Sequence, residues 1–281
     1  MVYGDIECQI LALSVLGAEV FEIGKTILGR SIYCVRVGSS FGPKIIVQYS
    51  IHAREHITTH LAIRHIKDAI ESRGELFGQI YFVPCLNPDG VALALEGESS
   101  VANKSIKKFL LNVNKSNDFS LWKANALAVD LNVNFDARWA QGTQNKLFPS
   151  PSDYVGLYPN SEREVNAIIE LTEQIKPKLT ISYHSKGEEI YYKFGQSNAE
   201  LRRDKEIATR LSLLTGYPLR DAFGSVGGYK DWCISKLKIP AFTFEVGKDT
   251  LKHPIYIEHL DDIYNKNKDI PKEALKLALN L

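Results

Sequence analysis

Residues 45–50 read IIVQYS, and residues 51–56 continue as IHAREH. The β-branched and aromatic run over 45–50 is typical of a buried strand. Residues 56–70 carry apolar side chains at helical spacing, so a helix is predicted to follow. His52 and Glu55 therefore lie at a strand-to-helix junction, where α/β enzymes commonly place their sites.

The spacing of His52 and Glu55 permits a metal site. Three residues apart on a tight turn, an imidazole and a carboxylate can converge on one cation, but solvated pairs on helix surfaces have the same spacing. His184 directly follows a strand predicted over 179–183. A lone histidine there is often held by hydrogen bonds in the core. Together, however, two imidazoles and one carboxylate leave a fourth position for water, which is the layout of a catalytic zinc.

Glu245 is the candidate general base for such a site. It follows the apolar run FTF at 242–244, within a strand predicted over 241–246. A carboxylate in so hydrophobic a run is costly to bury unless it has a function or a partner. A salt bridge to a nearby lysine is the alternative explanation for this residue.

Composition limits the other classes of function. The chain has 281 residues with 44% hydrophobic content, and no repeat or linker divides it, so one α/β domain over residues 1–281 is predicted. The 34 basic and 33 acidic residues leave a net charge of +1. This balance favours neither nucleic acid nor an anionic membrane as a partner.

The chain shows no targeting or membrane-spanning pattern. Its N-terminal apolar run, residues 10–16, is too short to span a bilayer and follows acidic rather than basic residues. The cysteines lie far apart without paired spacing, which indicates buried thiols rather than disulfides or zinc ligands; they are Cys8, Cys34, Cys85 and Cys233. A cytoplasmic location is therefore expected.

Local patterns give the remaining elements. A hairpin is predicted over 22–37 and a dense cluster of turn formers over 87–90. Residues 96–128 are polar and indicate a long, irregular surface excursion with a functional role. A capping box at 161–164 is predicted to open a helix that ends at Pro177. The other predicted helices cover 5–18, 56–73 and 199–214, and the other predicted strands cover 44–50, 79–83 and 189–194.

Six short motifs resemble those of the zinc carboxypeptidase family, in that family's order. They are HARE at 52–55, NPDG at 87–90, VDLN at 129–132, HS at 184–185, GGYKDW at 227–232 and FEVG at 244–247. No single motif is decisive, but six in order are hard to obtain by chance. The resemblance runs from about residue 20 to residue 250. It implies an α/β fold, with a mixed, mostly parallel central sheet and helices on both faces.

The resemblance also implies roles for individual residues. His52, Glu55 and His184 become ligands of Zn²⁺, and Glu245 becomes the base that activates water and then protonates the leaving amine. Asp130 matches a carboxylate that orients a ligand histidine.

Lys123, directly after Trp122, falls where the family has an arginine that polarises the scissile carbonyl. A lysine can stabilise the oxyanion as a point charge, without the fork geometry of arginine. An ordinary solvated loop lysine is the alternative interpretation.

The departures from the family pattern concern specificity. Asn132 matches a substrate-binding asparagine, but Val133 replaces the arginine that clamps the substrate's terminal carboxylate. Phe223 replaces a tyrosine and so lacks its hydroxyl. Lys230 occupies the position that sets the preference of the side-chain pocket, where a cation would favour an acidic group. Arg138 is a candidate substitute clamp.

One branch of the family is most similar. WKAN at 122–125 and HSKGEEIYY at 184–192 resemble the bacterial γ-D-glutamyl-L-diamino acid peptidases, which cut the stem peptides of the cell wall. Members often carry wall-binding repeats, which this sequence does not show, so a soluble muropeptide is the expected substrate. The alternatives are a zinc carboxypeptidase acting on protein or peptide C-termini and a non-catalytic zinc- or peptide-binding descendant. The retained Glu245 argues against the descendant, and Val133 argues against the carboxypeptidase.

Overall fold

The computed structural model describes residues 2–281, in which eight strands form one mixed sheet. The strands are β1 (Glu19–Lys25), β2 (Ser31–Gly38), β3 (Lys44–Tyr49), β4 (Gln79–Val83), β5 (Leu179–His184), β6 (Glu189–Tyr191), β7 (Leu219–Arg220) and β8 (Ala241–Glu245). The α-helices are α1 (Tyr3–Ala12), α2 (Ile57–Glu71), α3 (Pro88–Glu96), α4 (Lys104–Asn114), α5 (Arg163–Ile175), α6 (Asn198–Thr215), α7 (Tyr229–Trp232), α8 (Leu260–Asn267) and α9 (Ile270–Leu277).

The central strands of the sheet are parallel. Its spatial order is β1-β2-β4-β3-β5-β8-β6-β7, and four of its seven neighbouring pairs run parallel. β3 lies between β4 and β5, and β5 also pairs with β8. The carboxyl ends of β3, β5 and β8 therefore meet at one edge, which is where parallel sheets place their sites. The predicted mixed, mostly parallel sheet is confirmed.

Helices cover both faces of the sheet because the central strands are apolar on both sides. Ile45 and Val47 of β3 point into a core that α1, α2, α6, α8 and α9 cover. Ile46, between them, points into a second core formed with α5 and α7. No helix among residues 2–281 is long and apolar enough to cross a membrane.

The prediction of an irregular excursion over residues 96–128 is wrong in part, because this segment contains α4. Asn103 caps this helix by accepting hydrogen bonds from the N–H groups of Ser105 and Ile106. Leu110 is buried against a third apolar cluster, which includes Trp122. Lysines on the exposed side of α4 make the segment look polar although it has an apolar side.

Smaller corrections concern the ends of helices. The first helix ends at Ala12 rather than at residue 18, and the turn formers at 87–90 open α3. The predicted capping box at 161–164 is wrong. The N-cap of α5 is Glu162, without a side-chain cap bond, and Ser161 donates to the Glu162 carboxylate instead. Of the four cysteines, none of them disulfide-bonded, Cys8 is exposed rather than buried.

The first turn of α5 places a carboxyl group inside the protein. Glu164 is 1% exposed, and its Oε1 atom has no hydrogen-bond partner in the protein. Its Oε2 atom lies 3.5 Å from the Asn125 amide nitrogen. Burial, together with the nearby carboxylates of Glu162 and Asp89, raises the pKa of Glu164 to about 8. The folded chain therefore favours the protonated form.

This raised pKa predicts a pH-dependent stability. Because the folded state holds a proton that the unfolded state releases near the ordinary glutamate pKa, the free energy of unfolding falls as pH rises from about 5 to about 8. In Glu164→Gln, the decrease in the free energy of unfolding across this pH range should be smaller by on the order of 1–3 kcal/mol, as measured by urea unfolding. Glu173→Gln, at an exposed position of α5, serves as the control. Equal pH slopes for Glu164→Gln and the unmodified protein would contradict the assignment.

Candidate metal centre and active site

Three ligand-type side chains converge at the carboxyl edge of the sheet. His52 follows β3 and begins a single 3₁₀ turn, Ala53–Glu55, which brings Glu55 back towards it. The distance from His52 Nδ1 to Glu55 Oε1 is 3.0 Å. His184, the last residue of β5, points its Nδ1 at the same place, 3.1 Å from His52 Nδ1 and 3.3 Å from Glu55 Oε2.

This set fits a metal ion. Among residues 2–281 it is the one group of three or more histidine, cysteine or acidic side chains with ligand atoms close enough for one ion, within 4.8 Å of one another. All three side chains are buried. Burial alone would raise the pKa of Glu55, but His52 and His184 hold it well below its usual range, so this carboxylate is anionic. Two imidazole nitrogens and a carboxylate are ligands that zinc accepts in a tetrahedral site.

Asp130 lies behind His52, the first of the three candidate ligands. Its Oδ1 lies 3.3 Å from His52 Nε2, while Nδ1 of the same ring faces Glu55 and His184. The carboxylate also accepts the backbone N–H groups of Asn132 and Asp153. Burial alone would raise the pKa of Asp130, but Lys123 and His52 hold it well below its usual range. Asp130 therefore stays charged inside the protein.

Lys123 lies inside the site rather than in solvent, although residues 115–128 form a loop. Its Nζ is 2.8 Å from Asp130 Oδ2 and 3.6 Å from Asp153 Oδ1, and its side chain is 17% exposed. Burial alone would lower the pKa of Lys123, but the two carboxylates raise it and keep the ammonium charged. The sequence patterns did not indicate Asp153, because it lies in an irregular loop with no adjoining strand or helix.

Glu245 faces the three ligands from the neighbouring strand. It ends β8 and stands opposite His184 in the parallel register. A cavity of about 200 Å³ is lined by Glu245, His52, His184 and Lys123, among others. Burial raises the pKa of Glu245 to about 7, and this effect outweighs the charge of His184, which lowers the pKa. A bound metal cation would lower it further.

A second cavity, of about 420 Å³, also reaches Glu245 and extends along the sheet edge. Lys230 lines this cavity, and its Nζ already has two partners. It donates to the Lys193 carbonyl oxygen at 3.0 Å and forms an ion pair with Asp231. Asn132 lines both cavities, and its side-chain oxygen accepts the backbone N–H of Tyr229.

The remaining predicted residues divide into two groups. Val133 lines the smaller cavity, and Phe223 lines both cavities and is 90% exposed. Arg138 is exposed and lines neither of them. Its guanidinium lies over the ring of Phe194, with 5.0 Å between the guanidinium carbon and the ring centroid. The structure therefore does not bring Arg138 into the site as a carboxylate clamp.

Comparison with known proteins identifies the class. Residues 17–270 match the zinc carboxypeptidase family, so the chain belongs to this family. The structure of bovine thrombin-activatable fibrinolysis inhibitor in complex with tick carboxypeptidase inhibitor has the same fold, with a TM-score of 0.81 and 20% identity over 100% of this chain and 98% of that chain.

Two curated relatives are similar in sequence over most of the chain. Gamma-D-glutamyl-L-diamino acid endopeptidase 1 of Lysinibacillus sphaericus is 33% identical over 259 residues, covering 87% of this chain and 64% of that protein. Human carboxypeptidase B is 28% identical over 254 residues, covering 81% of this chain and 57% of that protein. The chain thus spans less than two thirds of the length of either relative.

The site geometry predicts one zinc ion per chain. His184→Ala removes one of three ligands, and the zinc content after dialysis should fall well below one equivalent, as measured by atomic absorption. His259→Ala, which lies outside the site, is the matched control and should keep its zinc. Undiminished zinc in His184→Ala, with a folded protein by circular dichroism, would show that this ligand set is wrong.

Proposed function

We propose that this chain is a zinc peptidase that hydrolyses peptidoglycan stem peptides, free or as muropeptides, between γ-D-glutamate and a diamino acid. The observation that carries the proposal is the charge distribution beside Glu245. Val133 lines the smaller cavity, so no arginine clamps a terminal carboxylate at this position, and Lys230 stands in the wall of the larger cavity. The name and similarity of the Lysinibacillus relative agree with a substrate of this kind.

In this mechanism His52, Glu55 and His184 would hold the zinc ion. The ion would act as a Lewis acid that lowers the pKa of a water molecule and polarises the scissile carbonyl. Asp130 keeps the His52 ring in the orientation that presents Nδ1, because it lies against Nε2 at 3.3 Å.

The proton transfers are assigned to Glu245. Its carboxylate takes a proton from the attacking water and later gives one to the leaving amine, so one group serves both steps. Lys123 is assigned to the negative charge of the transition state. Its ammonium, held by Asp130 and Asp153, faces the cavity that contains the ligands and stabilises the negative charge that develops on the carbonyl oxygen.

Glu245→Gln separates the role of the base from metal binding. The amide keeps the shape of the side chain and cannot accept the proton, so kcat should fall by about 10²–10⁴-fold while zinc content stays at one per chain. Turnover of L-Ala-γ-D-Glu-meso-diaminopimelate, followed by mass spectrometry, measures this loss. Glu173→Gln controls for the loss of a carboxylate elsewhere. Near-normal turnover in Glu245→Gln would mean that another group is the base.

The substrate assignment predicts a preference between peptide classes. Zinc-loaded protein should cleave L-Ala-γ-D-Glu-meso-diaminopimelate at least about tenfold faster, in kcat/KM, than benzoylglycyl-L-phenylalanine or benzoylglycyl-L-arginine, because one charge-assisted contact is worth that factor. Glu245→Gln protein prepared in the same way controls for a contaminating peptidase. Faster release of phenylalanine or arginine would instead favour a carboxypeptidase of ordinary C-termini.

A further inference from the structure

The larger cavity carries charges of both signs on its wall. Lys230 and Asp231 form a nearly buried ion pair there, and each side chain is 7% exposed. Asp221 lines the same cavity and pairs at 2.7 Å with Lys193, which is not among the lining residues. Apart from Glu245 at the catalytic end, the charged lining residues are one cation and two anions. Lys193 compensates Asp221, and Lys230 compensates Asp231, so the charges of this wall sum to zero.

This wall does not suit a group with a single charge. Asp231 already compensates the charge of Lys230, so a bound carboxylate would gain little from this lysine. That carboxylate would also lie close to the anions of Asp231 and Asp221. A lone ammonium would find carboxylates, but it would approach the ammonium of Lys230. In either case the cavity would enclose a net charge, which is costly in a desolvated site.

A group with an ammonium and a carboxylate on one carbon matches both members of the pair. Each member is fixed in place before such a group arrives. Lys230 Nζ donates to the Lys193 carbonyl oxygen at 3.0 Å, and Asp231 Oδ2 accepts the backbone N–H of Gly228 at 3.2 Å. Binding would replace the Lys230–Asp231 pair by two pairs with the ligand, one between Lys230 and its carboxylate and one between Asp231 and its ammonium. The cavity would gain no net charge.

We propose that this cavity recognises a zwitterionic side-chain terminus, with Lys230 binding its carboxylate and Asp231 its ammonium. The ligand class is a leaving-group residue whose side chain itself ends in an amino-acid group, as in meso-diaminopimelate. Asp231 is then a specificity-determining residue, and Lys230 alone does not define the pocket. This inference rests on the proposed function, since the side chain of the leaving residue must enter the cavity beyond Glu245.

Three substrates that differ in one group test the inference on the unmodified zinc-loaded protein. They are L-Ala-γ-D-Glu-X peptides in which X is meso-diaminopimelate, L-lysine (ammonium only) or L-2-aminopimelate (carboxylate only). We expect kcat/KM for meso-diaminopimelate to exceed that for either of the other two by about tenfold to a hundredfold. Rates within about twofold for all three, or a faster rate with a singly charged substrate, would overturn the zwitterion assignment and leave the proposed bond cleavage intact. Cleavage of none of the three would overturn the proposed function and the inference with it.

Two variants assign the charges to residues. In Asp231→Asn, kcat/KM should fall about tenfold for the meso-diaminopimelate peptide and little for the aminopimelate peptide, because aminopimelate has no ammonium for Asp231 to bind. Lys230→Met should lose a similar factor on meso-diaminopimelate and aminopimelate and little on lysine. Lys236→Met, whose ammonium pairs with Asp136 outside the cavity, should change none of the ratios.

Because Asp231 also accepts a backbone N–H, zinc content and the midpoint of thermal unfolding are measured for each variant. Equal losses on all three substrates in folded, zinc-loaded variants would reduce Lys230 and Asp231 to a structural pair and overturn the inference.

Discussion

The parallel pairing of β3 with β5, and of β5 with β8, is the constraint on which the site depends. Tyr49 pairs with Tyr183 across the first of these ladders, and His184 pairs with Glu245 across the second. β3 ends at Tyr49, and the three following residues bring His52 next to His184 at the carboxyl end of β5. A shift of either pairing by two residues would move a ligand by about 6–7 Å, further than any metal–ligand bond can follow.

Charge compensation is the second requirement of the site, since it buries many ionic groups. His52, Asp130, Lys123 and Asp153 form a continuous series in which each charge lies against an opposite or titratable partner. Removing one member would leave its neighbour charged and without compensation in a poorly solvated place. This explains how a lysine can be held beside the proposed zinc ion, where an unpaired ammonium would be expelled or deprotonated.

The sequence predicted the parts of the site that regular structure determines. His52, Glu55, His184 and Glu245 were predicted to meet because each follows or ends a strand, and parallel strands end at one edge. The main strands and the mostly parallel sheet were predicted for the same reason, from short β-branched runs. Patterns of this kind fix where a backbone ends, and a side chain one to three residues further on can be placed.

Residues on irregular segments could not be predicted in this way. Asp153 reaches Lys123 from a loop whose path no periodic pattern describes. Arg138 was expected near the substrate, but it has a left-handed backbone conformation, with φ of 54°, and its side chain lies over Phe194 instead. Lys230 lies in the wall of the larger cavity. Its pairing with Asp231 depends on side-chain geometry, which one sequence does not give.

Three side chains from two strand ends are proposed to hold one zinc ion. An anomalous difference map, from crystals of the zinc-loaded protein measured on both sides of the zinc absorption edge, would locate this ion. We expect one strong peak at about 2.0–2.2 Å from His52 Nδ1, His184 Nδ1 and a carboxylate oxygen of Glu55. A peak coordinated through the Nε2 atoms, or one located away from these three residues, would contradict it.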